Sequence, residues 1–191
     1  AGNENHWRFG QSVLPMPMHG FARSSNFRIR SIDQHGFEVE LEPSEEAKAC
    51  YPFDFTFTVI FHFLELSLQI SLVLENEGRE AIPWSAGLHP YFQLPWRKDL
   101  NLEDHQLAID AKQVFQYQDG GIMKKIPGGS SPCTMENPDL INRVYYELKK
   151  PMAEISLLNQ EEPVRISEVG GSASGSRLSF VTWTQNNTPY Y

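Results

Sequence analysis

The sequence predicts an all-β fold, an antiparallel sandwich or barrel, and three observations carry that prediction. Apolar and polar residues alternate over many short runs, turn-forming residues separate those runs, and helical periodicity is weak throughout. Alternation at period two puts one face of each run in a core and the other toward water, which is the pattern of half-buried strands.

The first strands fall at Phe27 to Ile32 and Phe37 to Leu41, joined by the turn residues Asp33 to Gly36. The stretch PSEEAKACY allows a helical turn or two at most. From Phe55 to Phe63 the odd positions are apolar, and from Leu64 to Leu72 the even positions are. That change of phase calls for a bulge or turn between Phe63 and Leu64, yet FHFLEL offers no Gly, Pro, Asn or Asp to make a tight hairpin. The expectation leans to a loop whose residues are absent from this sequence, with a bulge as the other choice. Later strands are expected at Gln106 to Ala111, Arg143 to Leu148, Ala153 to Leu158, Val164 to Val169 and Leu178 to Thr184. Turns are expected at Glu75 to Gly78, Asp119 to Gly121, Pro127 to Gly129 and Gly170 to Gly175.

A length of 191 residues suits one domain with a sizeable core, residues 1–191. Hydrophobic residues at 40% set it apart from disordered chains. The net charge of -8 and pI near 5.2 argue against nucleic-acid or anionic-membrane partners, which would repel the chain. A local basic pocket for a phosphorylated small molecule stays open. Cys50 and Cys133 match no CxxC-type spacing, so two incidental thiols in a reduced cytoplasmic protein are expected, with a disulfide as the lesser reading. AGNENHWRFG has no apolar signal-peptide region, and Val59 to Leu74 is too interrupted by polar residues for a membrane helix.

Three segments are unusual for a plain sandwich. In PMHGFARSSNF, His19 is followed by Gly20, and Arg23 comes four residues on. An imidazole can donate to a sugar oxygen and a guanidinium can fork onto hydroxyl or phosphate oxygens. Composition alone favours the plainer reading, in which His19 caps a carbonyl and Arg23 pairs with a surface acid. In AIPWSAGLHPYFQLP, Pro90 restricts His89 to an extended backbone, while Trp84, Tyr91, Phe92 and Trp96 surround it in sequence. A satisfied core histidine and a cleft histidine fit these residues equally well. INRVYYEL, a polar pair entering an aromatic strand, has no specific meaning alone. No His or Cys spacing suits a metal, so no metal site is expected; no Gly-rich phosphate loop opens a helix, and no GxSxG elbow occurs.

Taken in order, MHGFAR at 18–23, YPFDFTFTVIF at 51–61, LENEGREAIPWSAGLHPYF leading to GLHPYFQL at 87–94, and SFVTWTQNNTPYY resemble the aldose 1-epimerase, or galactose mutarotase-like, family. The resemblance runs from about Pro17 to Tyr191. It implies a large antiparallel β-sandwich, incomplete at both ends relative to the family, and a cofactor-independent enzyme. Such enzymes interconvert the α and β anomers of aldoses: a carboxylate takes the proton of the anomeric hydroxyl, a histidine protonates the ring oxygen, and the opened aldehyde rotates and closes. By this resemblance His89 is the general acid, His19 a substrate-binding histidine and Arg23 a phosphate-side arginine of the hexose-6-phosphate branch. Asn142 stands loosely where an aspartate holds sugar hydroxyls.

The departures are equally informative. That branch usually has another residue at Pro90, the family's catalytic glutamate follows the final turn, and its Asn-Arg motif precedes the His-Gly motif by some dozens of residues. Glu168 does not match the glutamate's motif. Three explanations are ranked: part of a longer enzyme lacking ends and loops, a chain shortened at both ends with exposed sheet edges, or a short natural relative that binds sugar without turning it over. The expectation is a cytoplasmic isomerase acting on an aldohexose or its 6-phosphate, monomeric or homodimeric, with no nucleic-acid or membrane partner. The alternatives are a non-catalytic carbohydrate-binding or sugar-sensing protein and a sandwich whose motifs only pack.

Overall fold

In a computed structural model, the described residues are 6–118, 122–128, 131–158, 162–169 and 178–183. The chain divides into two compact units at Leu88/His89. Every strand pair is antiparallel, in keeping with the all-β class expected.

The N-terminal unit opens with a hairpin that the alternation did not announce, β1 (His6–Phe9) and β2 (Ser12–Pro15), turned at Gly10 with φ +58°. A four-stranded meander follows: β3 (Asn26–Asp33), β4 (Gly36–Glu42), β5 (Phe55–Leu64) and β6 (Ser67–Asn76). The Asp33 carboxylate accepts the backbone N–H groups of His35 (2.7 Å) and Gly36 (3.1 Å), an Asx turn that closes the first hairpin. Cross-strand rows such as Ile29–Val39–Val59–Leu72 and Ile32–Phe37–Phe61–Ile70 line one face of the sheet. A bulge between Ile29 and Ser31 allows Ile29 and Ile32, three apart, to share that face. On the other face Glu40 pairs with Arg28 and with Arg30, the latter at 3.0 Å.

The phase change at Phe63/Leu64 needs neither a bulge nor missing residues, and the expectation of an absent loop is overturned. Leu64 pairs directly with Ser67, leaving Glu65 and Leu66 as a two-residue turn in which neither has positive φ. In that register Phe63 faces Leu68, Phe61 faces Ile70 and Val59 faces Leu72. An odd apolar series opposite an even one is what a two-residue hairpin demands, so the register is set by the apolar pairs rather than by turn chemistry.

Between β4 and β5, α1 (Glu45–Cys50) starts where the Ser44 hydroxyl accepts the Ala47 N–H at 3.2 Å. A backbone N–H at this helix start, then Ser44, hold the Glu46 carboxyl below its usual range. The helix is as short as the sequence suggests.

The C-terminal unit contains β7 (His105–Gln118), β8 (Ile122–Ile126), β9 (Cys133–Thr134), β10 (Arg143–Leu157), β11 (Val164–Ser167) and β12 (Phe180–Thr182). Their order is β11-β10-β7-β8, with β12 also on β10 and β9 on β7. The strands expected at Arg143 to Leu148 and Ala153 to Leu158 are one strand, β10. Its register against β7 shifts between Leu148 and Ala153, where Pro151 has no N–H for the ladder and Lys149 reaches Asp110 at 2.9 Å. The turns expected at Asp119 to Gly121 and Gly170 to Gly175 lie outside the described residues, as do Gly129 and Thr184. The core gathers Leu94, Leu107, Ile109, Leu140, Tyr145 and Ile155, among others. His105 is fully buried beside it: Nδ1–H donates to the Asn101 carbonyl (2.9 Å) and Nε2 accepts the Trp96 N–H (3.3 Å). Cys50 and Cys133 are both free thiols.

Candidate functional site

The four residues singled out in the sequence fall into the two units, His19 and Arg23 in one, His89 and Asn142 in the other.

In the N-terminal unit, Gly20 N–H closes a turn on the Pro17 carbonyl at 2.9 Å, and His19 and Gly20 both have positive φ, +68° and +77°. Left-handed backbone is freely available to glycine but strained for histidine, so the turn holds an imidazole in solvent at a conformational cost. Arg23 follows in the 3-10 turn Ala22–Ser24, also exposed, and makes no ion pair among the described residues. The turn is anchored by Phe21, whose ring lies 5.8 Å from that of Tyr51 and 6.4 Å from that of Phe55. Tyr51 in turn donates its hydroxyl to the Pro83 carbonyl at 2.7 Å. Burial raises the pKa of that phenol above the ordinary tyrosine value.

In the C-terminal unit the segment after His89 alternates in burial: Phe92 and Leu94 turn into the core, whereas His89, Tyr91 and Gln93 face out. His89 is therefore not a core histidine. Its ring lies parallel to that of Tyr91, 4.8 Å between centroids and 18° between planes. Trp183 stands nearly perpendicular to both, 6.2 Å from His89 and 6.4 Å from Tyr91 between centroids, with interplanar angles of 81° and 82°. Of its neighbours in sequence, Tyr91 frames the imidazole, whereas Trp96 packs against His105 at 5.2 Å between centroids.

Trp183 went unremarked in the sequence because it arrives from a distant strand. β12 pairs with the start of β10, Thr182 opposite Arg143, so Trp183 and Asn142 stand at the same end of that ladder. Asn142 has φ +58°, a conformation asparagine tolerates better than most residues. Its carbonyl accepts the Tyr117 N–H at 2.9 Å, and the neighbouring Ile141 carbonyl accepts the Gln116 amide at 2.5 Å. Next in the chain, Arg143 is 5% exposed and 3.5 Å from the solvent-facing Asp139 carboxylate, and its Nε has no hydrogen-bond partner among the described residues. Burial raises the Tyr145 phenol and the Cys133 thiol above their ordinary values, and Arg143 partly offsets both shifts. Alternation of Arg143 with Tyr145 was the sequence signal that this arginine points inward. Glu168 follows β11, its N–H on the Pro151 carbonyl at 3.1 Å.

Among the described residues no three His, Cys, Asp or Glu side chains converge as a metal site would require, and no helix is long and apolar enough to cross a membrane. The chemistry on offer is that of an exposed imidazole in an aromatic frame, and of a second imidazole and a guanidinium displayed on a strained turn.

The described fold is that of galactose mutarotase-like proteins. A galactose mutarotase related enzyme from Lactobacillus acidophilus superposes with a TM-score of 0.71 at 19% identity, over 84% of this chain and 57% of that one. A galactose mutarotase-like protein from Lactobacillus casei gives 0.72 at 19% identity, over 99% and 67%, and a protein from Synechocystis 0.61 at 20%, over 81% and 51%. The chain thus spans between about half and two thirds of these structures. No curated protein matches it significantly. The sequence matches the aldose 1-epimerase family over residues 2–190. The chain belongs to that family.

Proposed function

We propose that this protein is a mutarotase that interconverts the α and β anomers of an aldohexose or its 6-phosphate, the chain being read as one mutarotase-like domain. The observation that carries the reading is His89 itself. A family histidine is expected to donate a proton, and here it faces solvent, braced by Tyr91, rather than being spent in the core.

In this reading His89 gives a proton to the ring oxygen as the C1–O5 bond breaks. A base takes the proton of the anomeric hydroxyl, whose electrons form the aldehyde C=O. Rotation about C1–C2 and the reverse transfers give the other anomer, so protons and electrons balance without a cofactor. His19 and Asn142 orient hydroxyls, and Arg23 grips an anionic group such as a 6-phosphate. None of the four is a carboxylate, so the base is a further residue. The enzyme works in the cytoplasm as a monomer or homodimer, with no nucleic-acid or membrane partner.

Polarimetry tests the reading. Freshly dissolved α-glucose, α-galactose or glucose 6-phosphate should reach anomeric equilibrium faster with the full-length protein than in buffer. Calorimetric binding of the same sugars without any acceleration would mark a sugar-binding or sensing protein instead.

A further inference from the structure

Carbohydrate sites join a few polar groups to aromatic surface, because a pyranose has hydroxyls around its rim and patches of C–H on its faces. The corner beside His89 has that composition. Tyr91 is 57% exposed and Trp183 38% exposed, and the two rings meet nearly at right angles, 6.4 Å between centroids. Exposed aromatic surface of this kind gains by being covered.

The corner is also held firmly. Phe180 packs against the core, the Thr182 hydroxyl donates to the Leu140 carbonyl, and both pair with β10, which sets Trp183 at the end of a ladder rather than on a loose loop. On the other side, Leu94 is fully buried and Phe92 partly so, which leaves Tyr91 one face to present next to the imidazole. A preorganised ring costs little entropy on binding.

We propose that Trp183 and Tyr91 form an L-shaped aromatic wall for a pyranose, Trp183 stacking on its C–H face and Tyr91 flanking its rim, with His89 beside Tyr91 and the Asn142 end of β10 beside Trp183. This rests on the mutarotase reading for the sugar's identity but goes beyond it in naming residues that bind without taking part in proton transfer. The wall fixes the ring plane, and His89 then meets the rim where the ring oxygen lies.

The test compares Trp183→Phe with Trp183→Leu in the full-length protein; leucine keeps bulk but has no π face. Glucose and galactose serve as ligands, with calorimetry for affinity and polarimetry for turnover. Trp183→Leu should weaken sugar binding about tenfold and raise KM alike while kcat stays within about twofold, and Trp183→Phe should bind within about threefold of wild type. A sugar-dependent change in tryptophan fluorescence should vanish in Trp183→Phe although binding persists.

Outcomes separate the two ideas. If wild type binds sugar without speeding anomerisation, and Trp183→Leu loses that binding, the wall stands and the mutarotase reading falls. If wild type turns sugar over and Trp183→Leu does so with unchanged KM, the wall is overturned and the reading stands. A fall in kcat alone would make Trp183 a positioning residue for His89 and overturn stacking. Absence of any sugar binding by wild type overturns both.

Discussion

The imidazole of His89 and the phenol ring of Tyr91 lie face to face, 4.8 Å between centroids and 18° from parallel. Two residues apart in the chain, they lie on the same, exposed side, and Pro90 between them restricts the backbone of His89. The stack limits the rotamers of an otherwise solvent-facing histidine.

If His89 is the general acid, His89→Ala should slow anomerisation on the order of a hundredfold or more, read by polarimetry with circular dichroism to show that the fold persists. Tyr91→Phe, which keeps the stack and deletes only the hydroxyl, should retain turnover within about twofold of wild type. Wild-type rates in His89→Ala would remove it from the chemistry.

Arg23 predicts a split between substrates. It is exposed, carried on a turn anchored by Phe21, and unpaired with any acid among the described residues. Arg23→Ala should weaken glucose 6-phosphate about tenfold or more, since an arginine–phosphate contact is charge-assisted, and leave free glucose unchanged. Equal KM values for both sugars in both proteins would dismiss the clamp.

Gly36 is a structural pivot rather than a site. A Cβ there would lie 1.9 Å from the Phe61 carbonyl oxygen, an atom of the paired backbone that cannot swing aside. Gly36→Ala should therefore lower stability by about 1–3 kcal/mol, visible as a lower urea midpoint, because the β4–β5 ladder must separate to admit a methyl group. An unchanged midpoint would mean that the strands part there at little cost.

The long strands were legible in the sequence because they rest on local pattern, and the candidate site residues were picked out as motif segments. Alternation marks Phe55–Leu64 and Ser67–Asn76, and the positive φ of His19 and Asn142 falls in motif segments already singled out. What escaped depends on pairing between distant residues. The phase change at Phe63/Leu64 looked like a gap because one strand was considered without its partner, whereas across the hairpin it is the condition for Phe63 to meet Leu68. Trp183 reaches His89 only through β12 on β10, and β10 continues past Pro151 only because β7 is long enough to pair on both sides of the shift. His105 has no motif at all, since its role lies in one accepted and one donated backbone hydrogen bond.

Burial also sets an alkaline limit on stability. It raises the phenols of Tyr51 and Tyr145 above their ordinary 10.0 and the Cys133 thiol above its ordinary 9.0, with Arg143 opposing the shift at Cys133 and Tyr145. A raised value means that the native state keeps its proton after the unfolded chain has lost it, so the native state binds more protons than the unfolded one in that interval. Stability is accordingly intact at neutral pH, begins to fall as the unfolded thiol ionises near pH 9.0, and falls further above pH 10.0 as the two phenols follow. Urea midpoints taken from about pH 7 to about pH 11 should trace that decline. Cys133→Ala should flatten its first part and leave the tyrosine part in place. A midpoint that holds constant to the alkaline end would show that these groups reach solvent in the native state.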